Sequence, residues 1–170
     1  YPICTIQDIF SRMAGATRFT TLDMKSWFWQ FTLSEKCREY ITFITPSMGA
    51  WQWTVLPMGL SVSPAIVQAT IDEIFRTNYD GPGKYRGRPA HEFVLVYLDD
   101  IVIFSDDESH ADLLKWVMAR LALFNIQAAP EKAFIGLERI HLLGHIVDKF
   151  GLHVDMRKVE ALAKLPVPTD

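Results

Sequence analysis

Apolar positions along this chain follow two rhythms, one of about 3.6 residues and one of two. The helical rhythm comes first, where Thr5 and Asp8 form a capping-box-like start and Ile6, Ile9, Phe10 and Met13 follow on one face, ending near Gly15. It returns after Ser63 and Pro64, a hydroxyl and a first-turn proline that open a helix carrying Ile66, Val67, Ile71, Ile74 and Phe75. Leu113, Leu114, Val117, Met118, Leu121 and Phe124 mark a second long helix, and a terminal helix is expected from about Asp155 to Leu165, halted by Pro166. Between these lie β-type stretches. "RFTTLDMKSWFWQFTL" places Phe19, Thr21, Trp27, Trp29 and Phe31 at strand spacing, and "YITFITPSMGAWQWTVLP" alternates like a hairpin around Pro46 to Gly49. In "FVLVYLDDIVIF", Val94, Leu95 and Val96 precede the acidic pair and Ile101 to Phe104 follow it, so both runs read as strands buried on both faces. "FIG" and "RIHLLGHIV" read as further strands. The order predicts an α+β domain with helices packed on one face of an antiparallel sheet.

That hairpin puts Asp99 and Asp100 at its tip, where Asp is a favoured turn residue in its own right. A third acid changes the picture. Asp23 follows the strand "RFTTL", so it too sits at a strand end, and adjacent strands would bring the carboxylates together. Carboxylates within a few ångströms cannot all stay ionised at neutral pH without a cation. A hard divalent ion resolves this, since Mg²⁺ uses one or two carboxylates plus substrate phosphates, and paired ions drive in-line phosphoryl transfer.

Composition allows this reading without promoting it. A chain of 170 residues, 49% hydrophobic, is enough for one core, and one domain over residues 1–170 is expected. No apolar run approaches the roughly 18 residues that span a bilayer, so no membrane partner is expected. Cys4 and Cys37 have no paired spacing, which suggests reduced thiols in an intracellular setting. The net charge of −3 runs against nucleic-acid binding, and the compact basic stretch "GKYRGRP" with Lys84, Arg86 and Arg88 reads first as a solvated turn.

Five segments in order resemble the catalytic region of reverse transcriptases from gypsy-type LTR retrotransposons. "TLDMKSWFWQ" is similar to the first aspartate motif, "LPMGLSVSPAIVQ" to the nucleotide and template motif, "YLDD" to the aspartate pair, "APEKAF" to the lysine motif and "LLGHIV" to the primer-grip strand. The resemblance implies a polymerase palm with part of the fingers and two-metal nucleotidyl transfer with Mg²⁺ or Mn²⁺. It implies Asp23 and Asp99 as principal metal ligands, Asp100 as the less direct one, and Lys132 near the leaving pyrophosphate. It places Met24, Phe28, Met58 and Gly59 at the nucleotide, with Phe28 as the gate against a ribose 2′-hydroxyl, and Leu143, Gly144 and His145 at the primer. The implied partners are an RNA/DNA template-primer and dNTPs, and the implied setting is the cytoplasm or a retrotransposon particle. The family's N-terminal fingers would precede Tyr1, and its thumb and ribonuclease H would follow Asp170. Self-association through apolar surface is a further expectation.

Trp27 and the absent fingers and thumb depart from the family pattern, whereas an apolar residue at Met58 is common in this branch. Trp27 stands where a small residue is usual, and its bulk is expected to crowd the triphosphate site. Met58 stands where retroviral relatives carry glutamine. Against the polymerase reading stand a non-catalytic palm retained as a binding or assembly module, and an unrelated metal-dependent phosphotransferase.

Overall fold

The computed structural model describes residues 6–154, so the expected terminal helix lies outside the described residues. Its centre is a four-stranded antiparallel sheet of order β4-β5-β1-β6, built from β1 (Arg18–Asp23), β4 (Val94–Tyr97), β5 (Asp100–Ser105) and β6 (Phe134–Leu137). β1 and β5 pair without a break from Arg18 opposite Ser105 to Asp23 opposite Asp100. Alternation then gives the sheet two apolar faces. Leu22, Ile101 and Ile103 point to one face, where α3 (Ser63–Ile74) and α4 (His110–Leu123) pack through Val67, Ile71, Ile74, Leu113, Val117 and Leu121. Phe19, Leu95, Val102 and Phe104 point to the other, where Ile9 and Met13 of α1 (Ile6–Met13) meet them. Each such side chain contributes roughly 1.5–3 kcal/mol by leaving water. The expected burial on both faces therefore holds, with the two long helices on one side and short α1 on the other.

A small sheet of β7 (Arg139–Leu142), β8 (His145–Asp148) and β9 (Gly151–Val154) closes the second face through Ile140, Leu142 and Val147. "RIHLLGHIV" is thus a hairpin rather than one strand. Leu143 and Gly144 both take positive φ, at 50° and 78°, and turn the chain between β7 and β8. A short helix α2 (Glu35–Arg38) and the expected hairpin of β2 (Thr42–Thr45) and β3 (Gly49–Gln52) stand apart, with Phe43, Ile44 and Trp51 exposed.

Two other expectations change. Trp27–Gln30 forms a 3-10 helix instead of a strand, so the apparent alternation of Trp27, Trp29 and Phe31 is not realised. Trp27 is 3% exposed and Trp29 50%, and Trp27 meets Phe31 edge-on at 5.3 Å. Ser63 does not cap α3; its buried hydroxyl donates to the Pro57 carbonyl at 3.0 Å, tying the preceding loop to the helix start.

Candidate active site

The β4–β5 hairpin reverses through two residues, Leu98 and Asp99, with Leu98 at φ 54°, a strained value for a residue with a branched side chain. The turn delivers Asp100 to the first position of β5, where it lies opposite Asp23, the last residue of β1. Directly opposed residues in an antiparallel ladder present their side chains on the same face, so the two carboxylates share one side of the sheet end. Asp99 is exposed in the turn, and its carbonyl accepts from the Met24 amide at 3.1 Å, which locks the turn to the chain leaving β1.

Behind Asp23 the chain is held by a second segment, residues 127–132. The Ala129 amide donates to the Asp23 carbonyl at 2.8 Å and the Lys25 amide to the Gln127 carbonyl at 3.1 Å. Gln30 completes this junction. Its amide oxygen accepts from the Gln127 amide at 2.7 Å, while its Nε2 donates to the Gln127 carbonyl at 2.9 Å and to the Lys25 carbonyl. Lys132 then reaches back, its Nζ 3.3 Å from both carboxylate oxygens of Asp23. Asp23, Asp100, Lys132, Glu131, Thr21 and His141 all border a groove of about 510 Å³ that runs onto β7.

Burial and the neighbouring charges of Asp99 and then Asp23 raise the Asp100 carboxyl above its ordinary range, against a smaller opposing pull from Lys132. The donor set, three carboxylates at an open sheet end, is the hard-oxygen chemistry that Mg²⁺ or Mn²⁺ takes. Among the described residues, no three His, Cys, Asp or Glu side chains are already gathered as a metal cage.

The other residues singled out from sequence distribute unevenly. Phe28 is half-buried beside the core, and Met58 and Gly59 are exposed on the loop before α3. Gly59 has φ 91° with open space beside it, a backbone shape that side-chain-bearing residues rarely adopt. Met24 is 3% exposed, and its side chain packs in the core. Trp27 is likewise core, and the expected crowding of a triphosphate is not what the structure builds. Leu143, Gly144 and His145 sit together at the β7–β8 turn, with the His145 ring 5.5 Å from Phe10. In the basic stretch, Lys84 pairs with Asp106 and Arg88 with Glu92, and both cations lie over the Tyr85 ring, so two of its three charges are engaged within the protein. A larger cleft of about 650 Å³ beside Arg18, Asp107, Arg139 and Asp148 contains none of the predicted residues.

Comparison with known proteins follows the same lines. The reverse transcriptase (RNA-dependent DNA polymerase) family profile matches residues 1–147. The chain is 35% identical over 170 residues to the retrovirus-related Pol polyprotein of transposon opus from Drosophila melanogaster, covering 99% of this chain and 16% of that protein. It is 34% identical to the corresponding polyprotein of transposon gypsy from the same fly, over 99% of this chain and 15% of the relative, and 31% identical to an enzymatic polyprotein of figwort mosaic virus. The chain therefore spans between about one sixth and one fifth of the curated relatives it matches. Among solved structures, a foamy viral protease-reverse transcriptase in complex with double-stranded DNA superposes with a TM-score of 0.81 at 20% identity, covering 99% of this chain and 27% of that one. The same viral protein bound to an RNA/DNA hybrid gives 0.78. These structural matches show the fold.

Proposed function

This chain belongs to the reverse transcriptase (RNA-dependent DNA polymerase) family, and from that premise we propose that it is the palm, with part of the fingers, of a retrotransposon RNA-directed DNA polymerase. The observation that carries the proposal is the pairing of Asp23 with Asp100 at an open sheet end, beside Asp99 and within reach of Lys132. In this reading a primer 3′-hydroxyl attacks the α-phosphorus of a dNTP; the O3′–Pα bond forms as the Pα–O bond to the β-phosphate breaks, the hydroxyl proton passes to solvent, and pyrophosphate departs.

Asp23, Asp99 and Asp100 would hold the divalent ions. Bound there, Mg²⁺ or Mn²⁺ would neutralise the phosphate charge and favour ionisation of the attacking hydroxyl. The protein's own part is positioning. Phe28 bounds the sugar pocket, Met58 and Gly59 offer an apolar side chain and an unencumbered backbone to the nucleotide, and the Leu143–His145 turn steadies the primer end. Lys132 donates a proton to the leaving pyrophosphate. Met24 serves by its backbone, holding the Asp99 turn against β1. An RNA/DNA template-primer as partner is supported by the foamy viral neighbours, which are seen with double-stranded DNA and with an RNA/DNA hybrid.

A second reading, a palm that binds without catalysing, draws on the ungathered carboxylates and the engaged basic loop. Single-turnover addition of one nucleotide to a primed RNA template separates the two. At high protein concentration, low salt and with Mn²⁺, template-matched addition is expected, and it is lost in Asp23→Asn and Asp99→Asn. No addition, or addition indifferent to both substitutions, would leave the binding-module reading standing.

A further inference from the structure

The contact between Lys132 and Asp23 joins a cation to both oxygens of a proposed metal ligand. Three like charges at one sheet end repel, and a cation held beside them offsets that repulsion. Lys132 does so directly, its Nζ 3.3 Å from each Asp23 oxygen. Its reach is fixed by the junction behind it. The Asp23 carbonyl holds the Ala129 amide three residues before Lys132, and the Gln30 amide pairs with both the N–H and the C=O of Gln127, as a strand neighbour would. Gln30 also ties in the Lys25 carbonyl, so a single side chain joins the segment after Asp23 to the segment before Lys132.

We infer that Lys132 is a resident counter-cation for Asp23, held in place by the Gln30 clamp, and that a divalent ion must displace it to reach the carboxylate. This rests on the metal reading given above and adds to it a competition built into the chain. While no ion is bound, the ammonium satisfies Asp23 and holds the strand ends together. Once an ion occupies the carboxylate, the same ammonium is released toward the groove, where phosphate oxygens would replace Asp23 as its partner. Gln30 is the positioning residue of this exchange, since it does not line the groove and acts through hydrogen bonds to the backbone of residues 25 and 127.

The test is binding of Mn²⁺ alone to the 170-residue chain, followed by the loss of the free-ion electron paramagnetic resonance signal, without nucleotide or template. Lys132→Gln is expected to bind Mn²⁺ roughly two- to fivefold more tightly than the unmodified chain, the range that removal of an exposed ion pair supplies. Lys132→Arg keeps a cation there and is expected to stay near the unmodified affinity. Gln30→Ala, which frees the lysine segment, moves affinity part of the way toward Lys132→Gln. Lys132 is exposed, so its variants should keep the thermal midpoint, which is measured alongside. Equal or weaker binding by Lys132→Gln overturns the competition. An unmoved Gln30→Ala overturns the clamp. Absence of binding in the unmodified chain and both lysine variants, with Asp23→Asn indistinguishable from them, overturns the metal reading on which the inference rests.

Discussion

Asp100 stands opposite Asp23 in the β-ladder, a place where like charges cost stability. Burial and the charges of Asp99 and Asp23 raise its folded-state pKa, so the folded chain holds this proton more firmly than the unfolded one. The stability it contributes is therefore present in acid and lost as pH rises through the folded pKa. At neutral pH, Asp100→Asn should relieve up to about 1 kcal/mol of cross-strand repulsion, raising the unfolding midpoint by roughly 2–4 °C while weakening Mn²⁺ binding. Thermal unfolding of the two proteins side by side checks this, and a lower midpoint in the variant would mean the carboxylate is stabilised by partners instead of repelled. Trp27 makes the opposite case, a residue whose role is packing. Its indole is buried against Phe31 and the core, yet its Nε1 has no hydrogen-bond partner among the described residues. Trp27→Phe keeps a smaller aromatic ring and removes the unsatisfied donor, so its cavity cost is partly offset and it should cost less than Trp27→Gly. Trp27→Gly empties the site and should cost about 3–5 kcal/mol in urea unfolding. The sequence suggested a clash with nucleotide here because motif register alone says which residue stands at a position, and not which way a 3-10 helix turns it.

Among the elements, β1, β5 and the long helices were legible because each carries a strong period and both faces of the sheet demand apolar side chains. The β2–β3 hairpin was legible from its turn residues. What was not legible depends on partners distant in sequence. Gln30 bonds to Gln127 across 97 residues, and nothing in "WFWQF" announces that contact. The same holds for His110, buried at the start of α4, whose ring nitrogens lie 2.7 Å from the Thr20 hydroxyl and 2.8 Å from that of Ser105. Thr20 also accepts from the Gly136 amide, so one imidazole links α4 to β1 and β5, and through Thr20 to β6. Burial, and then the nearby Arg18, hold its pKa below 6.5, against opposing pulls from Asp107 and Asp106. In acid the unfolded chain takes this proton first, so stability should fall as pH drops below about 6.5 and level off below the folded pKa. Denaturant titrations from pH 8 to pH 5 would show it, and in His110→Ala the histidine component of that fall should vanish on top of a uniform loss of roughly 1–3 kcal/mol from the stranded hydroxyls. A slope unchanged by the substitution would place the acid sensitivity elsewhere.

At the scale of the whole molecule, charge sets how the chain meets nucleic acid. The net charge is −3, and Lys84 and Arg88, two of the three cations of the compact basic loop, are engaged by Asp106 and Glu92, which limits the counterions that loop can release from phosphate. Binding of a primed duplex to this chain should therefore be weak, with a Kd on the order of 10⁻⁵ M at 150 mM salt, and shallow in salt, with a log–log slope no steeper than about −3. Fluorescence anisotropy across a salt series measures both, and nanomolar affinity with a steep slope would show a phosphate-binding surface that the basic loop does not supply. The central claim is narrower, that the paired ends of β1 and β5 are where divalent ions and nucleotide act. Paramagnetic line broadening of backbone amide signals by substoichiometric Mn²⁺, with a dNTP present, tests it most directly. The account expects broadening centred on residues 22–25, 98–101 and 131–132, removed by Asp23→Asn. Broadening centred instead on the acidic stretch at residues 106–112, or left unchanged by Asp23→Asn, would contradict it.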